Sequence, residues 1–119
     1  MDQTGELVSA IVAGLQEKKG KRIVTVDMSQ ITGAICRYMV ICEGNTPSQV
    51  SALSDSVWEF ARKEMNDKPL SIEGAQVAQW IGMDYGTVLV HIFVPELRSF
   101  YNLDNLWADA TITALPDVE

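Results

Sequence analysis

The side chains that could perform chemistry in this 119-residue chain are few and scattered. His91 is the single histidine and a general base near neutral pH, yet the sequence places no serine or cysteine beside it as a nucleophile. The two cysteines, Cys36 and Cys42, lack the spacing of a zinc ligand pair, and we expect two small buried thiols. We therefore predict no cofactor, no metal site and no catalytic residue.

Carboxylates are the next candidates, because phosphoryl or nucleotidyl transfer needs a carboxylate pair that holds Mg²⁺. Such a pair, alternating on one strand, is absent beyond the helix predicted after Thr46. Asp27 and Asp84 each stand alone before a turn, where aspartate commonly caps the backbone. The turn at 44–47 leads into a helix and could bind an anion, but no glycine-rich nucleotide loop accompanies it. We predict that the chain is not an enzyme.

The charge balance indicates the kind of partner. Sixteen acidic and nine basic residues give a net charge of −7, which argues against nucleic acid as the main contact. An acidic protein is instead steered towards a basic protein, although the charge could simply keep the domain soluble. One basic cluster is present, and a solvated helix end is its simplest explanation, with contact to RNA left open: Lys18, Lys19, Lys21 and Arg22.

Length and composition predict one domain over residues 1–110, followed by a frayed acidic tail over residues 111–119. No apolar run approaches the roughly 18 residues that a membrane span needs, so we expect no membrane contact. The N-terminus carries Asp2 and Glu6 and does not resemble a secretory signal, which predicts a cytoplasmic protein.

Hydrophobic spacing predicts the elements that must position these residues. Helices are expected over about 4–18, with Gly20 as its C-terminal cap, over 47–66, with Thr46 as its N-cap, and from Glu96 to Trp107. Strands are expected over 22–27, 38–42, 70–72, 78–84 and 87–94, the second of them covered on both faces. The order predicts an α/β (α+β) fold, a single-layer mixed β-sheet with flanking helices.

The two strands around Tyr85-Gly86 form a predicted hairpin. A two-residue loop would pair Asp84 with Thr87, Gly82 with Leu89, and Trp80 with His91. One face is then aliphatic and suits a core, comprising Ile81, Met83, Val88, Val90 and Ile92. The other face mixes aromatic and polar groups, comprising Trp80, Gly82, Asp84, Thr87, Leu89, His91 and Phe93.

That mixed face has two interpretations from the hairpin alone. A large aromatic beside a glycine, ringed by polar groups, is typical of a protein–protein hot spot centred on Trp80. Alternatively, Trp80 packs under a helix with His91 hydrogen-bonded nearby. The hairpin pattern does not decide between them.

Several sequence blocks resemble the ribosomal silencing factor family (RsfS, also called Iojap), in the family's order and spacing. The resemblance runs from about Leu7 to Ala110, nearly the whole chain, and the blocks together are highly specific. They are Ile23-Val24-Thr25-Val26-Asp27, Tyr38-Met39-Val40-Ile41-Cys42-Glu43-Gly44-Asn45-Thr46, Ile72-Glu73-Gly74, Trp80-Ile81-Gly82-Met83-Asp84-Tyr85-Gly86, Val90-His91-Ile92-Phe93 and Phe100-Tyr101-Asn102-Leu103-Asp104-Asn105-Leu106-Trp107.

The resemblance implies a nucleotidyltransferase-like topology without catalytic residues. It also implies a factor that binds the large ribosomal subunit at its L-fourteen protein, blocks joining of the small subunit and represses translation when nutrients are limiting. The expected partner-binding residues are Trp80, Gly82, Asp84, Tyr85, Leu89 and His91. Two alternatives stay open: a divergent nucleotidyltransferase-fold enzyme, and a self-associating module that forms a homodimer off the ribosome.

The chain departs from the common family pattern at three positions. Arg37 stands where many members have aspartate, Gln49 replaces a frequent arginine or histidine, and Thr87 follows the turn glycine in place of aspartate. These differences bear on the polar contacts around the hairpin more than on the docking site itself.

Overall fold

The computed structural model describes residues 3–107 and 109–118, which form a six-stranded mixed sheet with three helices. In chain order the elements are α1 (Thr4–Glu17), β1 (Lys21–Asp27), β2 (Tyr38–Glu43), α2 (Pro47–Met65), β3 (Ser71–Glu73), β4 (Trp80–Asp84), β5 (Val88–Phe93), α3 (Pro95–Tyr101), a 3₁₀ turn (Leu103–Asn105) and β6 (Thr111–Ala114). The strand order is β3-β4-β5-β2-β1-β6. The predicted α/β fold class is confirmed.

The centre of the sheet is β2, which pairs parallel with β5 and antiparallel with β1. Five of its six residues are buried, which confirms the prediction of a strand covered on both faces. A continuous apolar run is what such a strand requires, because both of its side-chain rows face protein. Among the described strands, the one parallel pair joins β2 to β5, and α2 lies within the connection between them.

Helices α1 and α2 pack against each other and cover one face of the sheet. Gly14 permits their close approach, since a Cβ atom there would lie 2.9 Å from the carbonyl oxygen of Ser56. The Ser56 hydroxyl in turn donates a 2.7 Å hydrogen bond to the carbonyl oxygen of Gly14. None of the described helices is long and apolar enough to cross a membrane.

The predicted ends of α2 are confirmed. The hydroxyl oxygen of Thr46 accepts a 3.1 Å hydrogen bond from the backbone N–H of Gln49, and Pro47 occupies the first turn. The side chain of Gln49 makes a second hydrogen bond at the helix start, because its side-chain oxygen accepts from the N–H of Asn45 at 2.8 Å. Asn66 closes the helix in the left-handed conformation. Gln49, which departs from the common family pattern, therefore stabilises the start of α2.

Gly20 is not the left-handed cap that the sequence suggested. Lys19 takes that conformation, with φ of 56°, and the N–H of Gly20 donates to the carbonyl oxygen of Leu15. Gly20 is needed for space, because a Cβ atom there would collide with Sγ of Cys42. The glycine thus allows the end of α1 to lie against the central strand.

The predicted frayed tail is wrong over residues 111–114, which form β6. This strand pairs antiparallel with β1, and the N–H of Leu115 donates to the carbonyl oxygen of Ile23 beyond it. The sequence Thr-Ile-Thr favours a strand, and the otherwise unpaired edge of β1 supplies hydrogen-bond partners. The segment therefore belongs to the same sheet as the rest of the domain.

The helix predicted from Glu96 to Trp107 is also shorter than expected. It ends at Tyr101 because Asn102 adopts a left-handed conformation with φ of 51°, and a 3₁₀ turn follows. This segment and the loop after β1 cover part of the second face of the sheet, around a separate apolar cluster of Val24, Val26, Met28, Cys36, Met39, Ile41 and Phe93. The end of the sheet formed by β3, β4 and β5 keeps an open groove on that face.

Candidate functional site

The hairpin formed by β4 and β5 carries the two faces that the sequence indicates. Ile81, Met83, Val88, Val90 and Ile92 are all buried in the helix-covered core. On the mixed face, Trp80, Gly82, Asp84, Leu89 and His91 are each partly exposed, and Phe93 is fully buried. The face assignment was correct because side chains alternate along a strand with a period of two.

The predicted register of the hairpin is wrong by two residues. Asp84 pairs with Leu89, Gly82 with His91, and Trp80 with Phe93. The turn lies one residue later than predicted, because the N–H of Tyr85 donates to the carbonyl oxygen of Val88 and leaves Gly86 and Thr87 as the two residues between them. A shift of two leaves every side chain on its predicted face, whereas a shift of one would have reversed them.

Trp80 is held from several sides at the groove. Its indole Nε1–H donates a 3.0 Å hydrogen bond to Nδ1 of His91. Its ring centroid lies 5.0 Å from that of Phe93 and 4.5 Å from that of Tyr101. The indole is half-buried: Trp80 packs against its neighbours, as one interpretation of the mixed face expects, and leaves part of its surface exposed.

His91 acts in this geometry as an acceptor for the indole. Burial lowers the pKa of His91 to about 4, so the ring is neutral at neutral pH. Because Nδ1 accepts from Trp80, the proton of the neutral ring resides on Nε2. The side chain therefore fixes the orientation of the tryptophan.

A groove of about 390 Å³ lies on this face, and its walls come from three strands. It is lined by Ser71, Glu73, Gly74, Trp80, Gly82, Met83, Asp84, Leu89 and His91. Five of the six predicted site residues are thus brought together. Sequence reasoning missed Ser71 and Glu73, which enter because β3 pairs Ser71 with Asp84 and Glu73 with Gly82. The Ile72-Glu73-Gly74 block was the available signal.

Tyr85 is the predicted site residue that the structure does not bring to the groove. Its side chain is 7% exposed and belongs to the core beneath α1 and α2. Burial, with the nearby Asp67 carboxylate, raises the pKa of the Tyr85 phenol to about 12. A contact between Tyr85 and a partner stays a prediction, and the described placement gives it no support.

A buried ion-pair cluster fixes α3 beside the groove, and sequence reasoning did not identify it. The Arg98 side chain is 3% exposed, and its guanidinium lies 2.6 Å from a carboxylate oxygen of Asp104. It also donates to the carbonyl oxygen of Arg22 at 2.6 Å and lies 3.5 Å from Glu43. The signal available was that Arg98 is the only basic residue after Asp84. We call Arg98, Asp104, Glu43 and Arg22 the Arg98 cluster.

The two carboxylates considered for catalysis, Asp27 and Asp84, accept hydrogen bonds from residues of the turns that follow them. The Asp27 carboxylate accepts from the N–H and hydroxyl of Ser29 at 2.9 and 2.6 Å, and these hydrogen bonds lower the pKa of Asp27. The Asp84 carboxylate accepts from the N–H of Gly86 at 2.7 Å. Their strands are three positions apart in the sheet, or roughly 14 Å.

The remaining candidates for chemistry are the thiols. Both Cys36 and Cys42 are free and buried, as predicted, and burial raises the pKa of Cys42 to about 12. Within residues 3–107 and 109–118, no three histidine, cysteine, aspartate or glutamate side chains lie close enough together to hold a metal ion.

Comparison with known proteins identifies the family of this groove-bearing fold. The family model described as "Ribosomal silencing factor during starvation" matches residues 1–119. A ribosomal silencing factor from Halalkalibacterium halodurans is 34% identical over 113 residues, which cover 95% of each chain. A crystal structure of a Chromobacterium violaceum protein matches with a TM-score of 0.82 at 28% identity, and covers 99% of this chain and 96% of that one.

A more distant relative comes from mouse and is named mitochondrial assembly of ribosomal large subunit protein 1. It is 29% identical over 72 residues, which cover 59% of this chain and 32% of the mouse protein. The whole-chain family match and the full-length bacterial relative are sufficient to assign the family. The chain belongs to the ribosomal silencing factor family.

Proposed function

We propose that this protein binds the large ribosomal subunit through its L-fourteen protein and sterically blocks joining of the small subunit, which represses translation under nutrient limitation. The observation that carries the proposal is the half-buried Trp80, held by His91 and two further rings at the edge of an open groove. A rigid aromatic anchor beside a concavity is typical of a binding hot spot, because little side-chain entropy is lost on docking.

Charge supports a basic protein as the partner. Glu73 and Asp84 line the groove. His91 also lines it, but its imidazole is neutral at neutral pH. With a net charge of −7, the protein would be attracted to a basic surface such as that of a protein embedded in ribosomal RNA. Action on ribosomes in a bacterial cell would take place in the cytoplasm.

The proposal assigns no catalytic step to the groove. His91 already accepts a hydrogen bond from Trp80, and the Asp84 carboxylate accepts from its own turn. The family is likewise described by ribosomal silencing, a regulatory role. Nucleotide titration calorimetry with and without Mg²⁺ tests the enzyme alternative, which tight, metal-dependent binding would support.

The test of the proposal is co-sedimentation with purified large subunits. We expect Trp80→Glu to weaken binding by about 30-fold or more, equivalent to ~2 kcal/mol, because it removes the anchor. Trp58→Glu is the matched control, since Trp58 is also half-buried but lies on α2, across the sheet. Both variants are checked for folding by circular dichroism. A folded Trp80→Glu protein that binds like the wild type would contradict the placement of the site.

A subunit-joining assay tests the mechanism separately from binding. The wild-type protein should reduce the formation of whole ribosomes from purified subunits, and Trp58→Glu should do the same. Binding without any effect on joining would refute the steric block while leaving the docking site intact. Light scattering on both variants tests the homodimer alternative, because a self-complementary Trp80 face would dissociate on Trp80→Glu.

A further inference from the structure

The rings around Trp80 continue beyond the groove onto α3. Tyr101 packs on Trp80 with a centroid distance of 4.5 Å, and Phe100 contacts Tyr101 edge-on at 5.1 Å. On the other side of Trp80, the rings of Phe93 and His91 follow at 5.0 and 5.9 Å. The result is a continuous aromatic row that begins in the sheet and ends on the surface of α3.

The outer end of this row is unusually exposed for its chemistry. Phe100 is 77% exposed and Tyr101 46% exposed, so folding leaves most of the Phe100 ring in water. Apolar aromatic surface next to a half-buried tryptophan is typical of an interaction surface, because a contiguous patch is more costly to expose than scattered residues. The packing of the domain does not account for a phenylalanine at this position.

The segment of α3 that carries the exposed ring is nevertheless fixed in position. The Arg98 cluster ties the middle of α3 to β1 and β2, and the N–H of Asn102 closes the helix on the carbonyl oxygen of Arg98. Phe100 lies between these two points. A preorganised aromatic loses little conformational entropy when a partner covers it.

We propose that Phe100 and Tyr101 form the second wall of the docking surface and contact the same protein partner as Trp80. The inference rests on the proposed function, which supplies the partner. The partner chemistry follows from the charges on α3: Glu96 is exposed, and the only basic side chain of the helix, Arg98, is buried in ion pairs. Aromatic rings flanked by acidic groups suit a basic protein surface with an apolar side chain, and they do not suit the phosphates of RNA.

The test compares two phenylalanines in the intact protein. Phe100→Ser should weaken binding to purified large subunits by about tenfold or more, with an unchanged melting temperature, because the ring is largely exposed. The control is Phe60→Ser on α2, across the sheet, which should retain wild-type affinity. Wild-type affinity of Phe100→Ser would overturn the inference.

Direct contact is tested by cross-linking. A photoreactive benzophenone side chain at position 100 should cross-link to a protein of the large subunit, whereas the same group at position 60 should not. Cross-linking to ribosomal RNA alone would overturn the assignment of a protein partner. The two proposals can be refuted separately. If Trp80→Glu loses binding and Phe100→Ser binds fully, only the second wall is refuted. If the wild-type protein does not bind large subunits, both proposals are refuted.

Discussion

Two of the three half-buried tryptophans, Trp58 and Trp80, lie on opposite sides of the sheet and differ in the contacts that hold them. Trp58 lies on α2 beside the larger of the two cavities, about 640 Å³, and the guanidinium of Arg62 lies 6.0 Å from its ring centroid. Trp80 lies beside a smaller groove of about 390 Å³, with one hydrogen bond and three ring contacts. The tryptophan beside the larger cavity is therefore not the one that we propose as the anchor.

The two tryptophans therefore differ in the hydrogen bond and ring contacts that orient them, as well as in the volume beside them. A ring that is already oriented by a hydrogen bond and stacked neighbours gives up little freedom on binding. The supports of Trp80 also come from distant parts of the chain, through β5 and α3. Three substitutions test this contrast, in order of decreasing expected effect.

The largest effect is expected from removing the arginine that supports the Trp80 side. Arg98→Met should lower the free energy of unfolding by about 3 kcal/mol, because it leaves the Asp104 carboxylate without its cation and the buried Glu43 with Arg22 as its remaining ion-pair partner. Arg62→Met on the Trp58 side should cost less than about 1 kcal/mol, since Arg62 is exposed. Urea unfolding measures both. Equal losses would show that the two tryptophans are supported alike.

The next effect concerns pH. His91 has its pKa lowered by burial to about 4 in the folded protein, against 6.5 for an ordinary histidine, so the unfolded chain binds more protons between these values. Stability contributed by neutral His91 is fully present above pH 6.5 and is lost as the pH falls towards 4. The loss should be roughly 2 kcal/mol at pH 5.

The measurement is urea unfolding of the wild type and His91→Gln at pH 7 and pH 5. The difference between the two proteins isolates His91 from the carboxylates, including Asp27, whose lowered pKa also costs stability in acid. Wild-type stability should fall further than that of His91→Gln. If both fall equally, the Trp80–His91 hydrogen bond does not couple to protonation.

The smallest effect is expected from charge at the rims of the two cavities. Glu73→Lys, at the rim of the Trp80 groove, should weaken subunit binding by up to about tenfold, mainly through slower association, and more strongly at low salt. Glu59→Lys at the rim of the Trp58 cavity should leave the affinity nearly unchanged. The measurement is the rate of association of each variant with large subunits at two salt concentrations. Faster association of both variants would contradict an attraction to a basic partner.

Local features of the site could be predicted wherever a short-range pattern controls them. The two faces of the hairpin follow from strand alternation, and the Thr46 cap follows from its own helix start. The hairpin register could not be predicted, because the hydrogen bond between Tyr85 and Val88 moves the turn by one residue, to Gly86 and Thr87. Several pairings are compatible with the same alternation, and turn geometry selects among them.

The sequence by itself determined the family and the order of nearly all elements, because periodicity and block spacing are local properties. The proposal of Trp80 as the anchor rests on the family resemblance together with the two faces of the hairpin. Only the tertiary structure decided that Tyr85 points into the core, that Ser71 and Glu73 join the groove, and that residues 111–114 complete the sheet. The same holds for the Arg98 cluster, whose members lie at positions 22, 43, 98 and 104. Such contacts depend on strand order and on burial in three dimensions, which no spacing along the chain encodes.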